Sequence, residues 1–285
     1  MLLNKGRSSS KAVIGRFYKA MGVMACALLA TTITAPSAVH LSSADAMRIG
    51  RRIWQNECNG TLAGLTAWNS GENFASLGIG HFIWYPRGQN GPFDESFPKF
   101  LTFAEERKAP LPTWIRPETA SDLQSVDCPW NSQVQFNEAK GTPRMKELRE
   151  FLVKTIDLQA AFLVERLQQA LPKMLTEAPA SERSNIRQRF DRVADSPGGY
   201  YALIDYVNFK GEGVLATERY AGQGWGLLQV LEGMPLESTG RGAVHDFADS
   251  AKRVLTNRVR NAPPERNESR WLPGWLNRVN TYRQG

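Results

Sequence analysis

Along most of this chain apolar residues recur three and four positions apart, and in one stretch they gather instead between glycines. Between Ala44 and Glu57, Met47, Ile49, Ile53 and Trp54 fall near helical spacing behind Asp45, a residue suited to a helix start. The spacing predicts a short helix ending at Glu57. From Leu62 to Tyr85 the pattern changes to β-type runs broken at Asn69-Ser70-Gly71 and at Gly78 and Gly80, which predicts a small antiparallel hairpin or sheet. Pro86 to Pro143 holds eight prolines, so helix there is expected only in short pieces. After Pro143 the helical period returns in six stretches, 144–175, 182–195, 200–209, 224–234, 243–260 and 274–284. A helix, a small sheet and then a helical majority make an α+β layout, in which the sheet covers one end of a helical lobe and a cleft lies between the two.

The first 46 residues stand apart. Lys5, Arg7, Lys11, Arg16 and Lys19 precede an apolar run from about Met21 to Ala35, and small residues lead to Ala44-Asp45-Ala46. That order reads as a secretory signal peptide cleaved after Ala46, leaving residues 47–285 as one exported domain, periplasmic or secreted. An uncleaved anchor fits less well, because the run falls short of the ~20 residues that span a bilayer and Thr31, Thr32 and Thr34 dilute it. No other segment is long and apolar enough to span. Removing residues 1–46 takes away five basic residues and one acidic one, which lowers the formal charge from +7 to +3. No stripe of Lys and Arg interleaved with aromatics remains to argue for nucleic acid.

The exported part keeps two cysteines, Cys58 and Cys128, and an even pair in an oxidising compartment is expected to form a disulfide. Its only histidines are His81 and His245, without an HExxH or CxxC pair, so metal catalysis is discounted. A GxSxG elbow and a glycine-rich phosphate loop are also missing, and no cofactor is expected.

Glu57 carries the first chemical suggestion. A carboxylate at a helix end, three residues after Trp54 and facing a sheet, is expected to be desolvated, which raises its pKa and suits it to general acid work. Glycosidic cleavage requires such an acid, because a sugar alkoxide leaves poorly until its oxygen is protonated. The Gly78-Ile79-Gly80 turn lets backbone approach a ligand or the helix bearing Glu57, and His81 is placed to hold Glu57 or a neighbouring hydroxyl.

These residues resemble the phage-type lysozymes and endolysins. In that family a helix-terminal Glu is followed by a β-hairpin closing on Thr-x-Gly-x-Gly-His, and here Glu57, Asn69, Glu72 and Ser76-Leu77-Gly78-Ile79-Gly80-His81 stand in that order. Ala202 to Gly213, "ALIDYVNFKGEG", resembles the family's central buried helix and the turn that ends it, and "GWLNRVNTY" from Gly274 resembles its Gly-x-x-x-Arg closing helix. The resemblance implies a lysozyme-like α+β fold, a proline-rich insertion at about 86–143 that the family lacks, and a glycoside hydrolase acting on peptidoglycan or a related amino-sugar polymer such as chitin. It implies Glu57 as catalytic acid, Glu72, Ser76 and His81 as further catalytic candidates, and Asn69, Gly78, Gly80 and Asn208 as substrate-binding candidates.

The sequence departs from the family at the second carboxylate. Ser70 stands where an Asp is usual, with Glu72 nearby, and Asn208 is displaced by one position from the family's Asn. If Glu72 faces the sugar, the pair hydrolyses with water; if it faces solvent, Glu57 acts alone as in lytic transglycosylases and an anhydro sugar forms. Two other classes stay open: a non-catalytic glycan-binding protein of lysozyme-like shape, and a wall peptidase using Cys58 as nucleophile with His81 or His245, which a Cys58–Cys128 disulfide would exclude. Asp205 and Lys210 are expected to form a structural ion pair. Trp68, Trp84, Tyr85, Trp130 and Trp225 are candidates to stack on sugars or to fill the core.

Overall fold

Ile49 and Ile53 are buried on one face of the first helix, α1 (Ser43–Cys58), which ends one residue beyond Glu57 as the spacing predicts. The computed structural model describes residues 42–58, 60–91, 93–115 and 122–284, so the leader expected at 1–46 lies outside the described residues except for its last few positions. α1 packs along α5 (Ile156–Glu177) at very short range. A Cβ at Gly50 would stand 2.7 Å from that of Ala160, so glycine is what permits the approach.

The glycine-punctuated stretch forms a three-stranded antiparallel sheet of β1 (Thr66–Ala67), β2 (Ala75–Leu77) and β3 (Phe82–Trp84) in sequence order, with Ser76 opposite Ile83 and Leu77 opposite Phe82. The insertion that follows yields short helices, α2 (Phe97–Glu106) and α3 (Gln133–Glu138), as its prolines require. It is part of the core. Phe82 stacks on Phe100 at 5.2 Å, Trp84 meets Phe97 at 4.8 Å, and the Trp84 indole donates to the Val126 carbonyl at 2.7 Å. Each such ring contributes about 1.5–3 kcal/mol through burial, which fixes the back of the sheet.

The stretch 144–175 is two helices, α4 (Pro143–Lys154) and α5. The break lies at Thr155, whose hydroxyl donates to the Phe151 carbonyl, while the Gln159 amide donates to the Leu152 carbonyl at 2.6 Å. The Phe151 carbonyl keeps its backbone bond from the Thr155 N–H at 3.1 Å, and the Gln159 side chain satisfies the Leu152 carbonyl that the broken helix leaves over. There follow α6 (Arg183–Ala194), α7 (Gly199–Lys210), a two-stranded hairpin of β4 (Arg219–Tyr220) and β5 (Gln223–Gly224), α8 (Leu227–Glu232), α9 (Arg241–Asn261) and α10 (Leu272–Asn280). Every residue of α7 from Tyr201 to Val207 is buried, so this helix runs through the core. The architecture is α+β, with ten α-helices and two small antiparallel sheets among the described residues. No described helix is long and apolar enough to cross a membrane.

The expected disulfide is not formed. Cys58 and Cys128 are both free and buried: the Cys58 thiol donates to the Gly78 carbonyl at 3.5 Å, and Cys128 lies along Tyr85 and Pro86, its N–H donating to the Tyr85 carbonyl. Each sulfur fills a separate place in the core. Burial pushes both thiols up to about 12, which also argues against Cys58 as a nucleophile.

Candidate active site

Three elements converge on Glu57. α1 presents it from its last turn, α7 brings Asn208, and α10 brings Arg278. Arg278 Nη2 donates to Glu57 Oε1 at 2.6 Å, and Asn208 Nδ2 donates to the same oxygen at 3.3 Å and to the Gly80 carbonyl at 3.0 Å. His81 Nδ1 stands 3.5 Å from the other oxygen, Oε2. Arg278 is itself fixed by a two-pronged bond to fully buried Asp205, Nε to Oδ2 and Nη2 to Oδ1, each at 2.8 Å, and the Tyr282 hydroxyl donates to Asp205 at 2.7 Å. This corrects the expected Asp205–Lys210 pair: the planar guanidinium fork fits a carboxylate where an ammonium would not.

The charge state of Glu57 also differs from expectation. Burial pushes its carboxyl pKa up, as its place behind Trp54 suggested, but the charges of Arg278 and His81 and the Arg278 hydrogen bond outweigh it. The group is held below the usual carboxylate range. In the free protein Glu57 is therefore an anion near neutrality.

Glu72 is the second carboxylate, partly buried in the turn between β1 and β2. Asn69 Nδ2 donates to its Oε2 at 3.0 Å and the Ser76 hydroxyl reaches the same oxygen at 3.5 Å. Burial pushes its pKa up, and the bonds from Asn69 and Ser76 and the charge of His81 only partly offset that. His81 thus acts electrostatically on both carboxylates. Its Nε2 is buried with no hydrogen-bond partner among the described residues, and its φ of 48° places it in the left-handed region that side chains adopt at a cost.

The sequence candidates divide by role. Glu57, Glu72 and His81 are the titratable groups of the site. Asn69 and Ser76 hold Glu72, and Asn208 holds Glu57, so these three position the carboxylates. Gly78 and Gly80, expected to bind substrate, are buried. Gly78 has φ +72° and a Cβ there would fall on Gln159 Oε1, the atom that accepts the Ile79 N–H at 2.8 Å. These glycines let the turn close against α5 and bring His81 to Glu57. Sequence reasoning passed over Gln159, Arg166, whose Nη1 donates to Asn208 Oδ1 at 3.2 Å, and Arg278, although Gly274-x-x-x-Arg278 was a usable signal.

Trp68, Trp84, Tyr85, Trp130 and Trp225 are all buried, each 7% exposed or less, and serve as core. Among the described residues no group of His, Cys, Asp and Glu is arranged to hold a metal ion. A polar surface cavity of about 480 Å³, lined by Glu177, Arg219, Gln223, Gln229 and Glu232 among others, shares no residue with the Glu57 cluster. Comparison with family models, characterised proteins and solved structures gave no match.

Proposed function

We propose that this chain cleaves the glycan strands of peptidoglycan as a lysozyme-like enzyme, with Glu57 donating the proton to the glycosidic oxygen. The observation that carries this reading is a largely buried glutamate at a helix end, oriented by Arg278 and Asn208, that shares His81 with a second, partly buried carboxylate. Since Glu57 rests as an anion, it must take up a proton before it can give one. Glycan seated over Oε2 would exclude water there and favour the protonated form, and the reaction is expected to run best on the acid side of neutrality. Transfer of that proton breaks the bond to the leaving sugar, and the electron-poor ring carbon is then met by water, with Glu72 as base or stabiliser, or by the substrate's own hydroxyl. The reading takes residues 1–46 as an export leader and places the domain in the periplasm or outside the cell.

The opposite pKa shifts support a second division of labour, in which Glu72 carries the proton and Glu57 serves as the anionic base. A substrate with a nitrophenolate leaving group separates the two, because it needs no protonation. The variant lacking the acid keeps activity on it and the variant lacking the base does not. Digestion of purified sacculi by the full chain, followed by mass spectrometry, tests the proposal itself. New reducing ends indicate hydrolysis and anhydro ends indicate transglycosylation; sacculi left intact would reject both.

A further inference from the structure

Lys210, the last residue of α7, has an ammonium without an anionic partner. Its Nζ lies 3.5 Å from the centre of the Trp275 ring and 3.9 Å from that of Phe209, and among the described residues it makes no ion pair or hydrogen bond. The cations around it are already engaged: Arg258 is held by buried Glu268 at 2.7 and 2.8 Å, and Arg278 by Asp205 and Glu57. Burial, with Arg258 and Arg278 next in weight, pushes the Lys210 pKa well down, more than the charges of Glu268 and Glu57 offset, so this charge is costly until an anion joins it directly.

The rings beside Lys210 connect the Glu57 cluster to the surface. Arg278 lies over Phe209 at 4.2 Å, Phe209 meets Trp275 at 6.4 Å, and Trp275 meets Trp271 at 6.1 Å. Trp271 is 39% exposed and has Arg270 over its ring at 4.4 Å. An exposed indole leading through a second one to an unpaired ammonium suits a ligand that has both an apolar sugar face and a carboxylate.

We propose that Lys210, with Phe209, Trp275 and Trp271, forms a subsite that takes the carboxylate borne by an acidic amino sugar of the strand, and so selects acid-bearing over neutral glycans. This rests on the reading of Glu57 as a glycan-cleaving acid. The carboxylate has two sources, the lactyl group where a sugar carries no peptide and the peptide's own carboxyl groups where it does, since attachment turns the lactyl carboxyl into an amide; strands with and without peptide distinguish them.

The test is binding and cleavage of soluble strands, native against carboxyl-amidated, by the full chain and by Lys210→Met, Lys210→Arg and Trp271→Ala. Wild type should prefer native strands by roughly tenfold, the effect of one charge-assisted hydrogen bond. Lys210→Met should abolish that ratio, Lys210→Arg restore it, and Trp271→Ala weaken binding of both strands. A preference confined to peptide-free strands assigns the lactyl carboxylate, one confined to peptide-bearing strands assigns the peptide, and one on both shows that the subsite takes either. Equal cleavage of native and amidated strands by wild type, or an unchanged ratio in a folded Lys210→Met, would overturn the subsite and leave the Glu57 reading standing. Lys210-dependent binding without any cleavage would sustain the subsite and reject that reading. Absence of both binding and cleavage would reject both.

Discussion

Replacing Arg278 by Met removes the guanidinium while keeping much of the side chain's apolar length. Arg278 is 11% exposed, Glu57 13% and Asp205 0%, and the bonds lost are those at 2.6, 2.8 and 2.8 Å. Tyr282 and Asn208 still donate to the two carboxylates, and His81 remains beside Glu57, but among the described residues no guanidinium or ammonium is bonded to either. Removing one partner of a buried pair costs about 3–5 kcal/mol, and for a domain of this length about 2–4 °C of melting temperature accompanies each kcal/mol. A drop of roughly 6–20 °C near neutrality follows. Because the folded-state pKa of Glu57 lies below its unfolded value, the stability it contributes is complete above the unfolded value and is lost as pH falls through the folded one. The gap between wild type and variant should therefore narrow in acid. Circular dichroism melts of both proteins at about pH 7 and about pH 2 bracket the carboxylate range. A variant melting within about 2 °C of wild type near neutrality would show that the Arg278 bonds do not hold this site together.

Without reductant, Cys58 and Cys128 should both resist alkylation in the native protein and both become alkylatable on denaturation; a mass two hydrogens lighter that persists through denaturation would restore the disulfide. Gln159→Met should cost about 1–3 kcal/mol, because the Ile79 N–H and the Leu152 carbonyl lose their partner in a dry site. It should also lower turnover by loosening the turn that carries His81, and urea unfolding unchanged from wild type would contradict this. Glycan cleavage should fall as pH rises from mildly acid to neutral, since the proton donor has a depressed pKa, and a rate that instead climbs through that range would favour Glu57 as the base.

What could be read beforehand was local. Helix α1, the short sheet and the fragmented insertion follow from spacing, glycines and prolines within a few residues of one another. Glu57, Glu72 and His81 lie within one short stretch, so one motif contains all three. Arg278 is 221 positions from Glu57, and a single Arg on an amphipathic helix looks like any solvated one. Arg278 sets the sign of the Glu57 shift: Trp54 announces the desolvation, while the compensating charge comes from the far end of the chain. The tryptophans show the same limit. Residue type alone does not separate buried Trp84 from half-exposed Trp271, and only the packing of α10 leaves the latter at the surface.

The most direct test of Glu57 as proton donor compares wild type with Glu57→Gln on purified sacculi, in protein preparations with matching circular dichroism. Gln keeps the volume and can still accept from Arg278, but it has no proton to give to the leaving oxygen. General acid catalysis is worth about 10²–10⁴-fold, so release of glycan ends should fall by at least the lower figure. Equal rates of release by the two folded proteins would contradict the account at its centre.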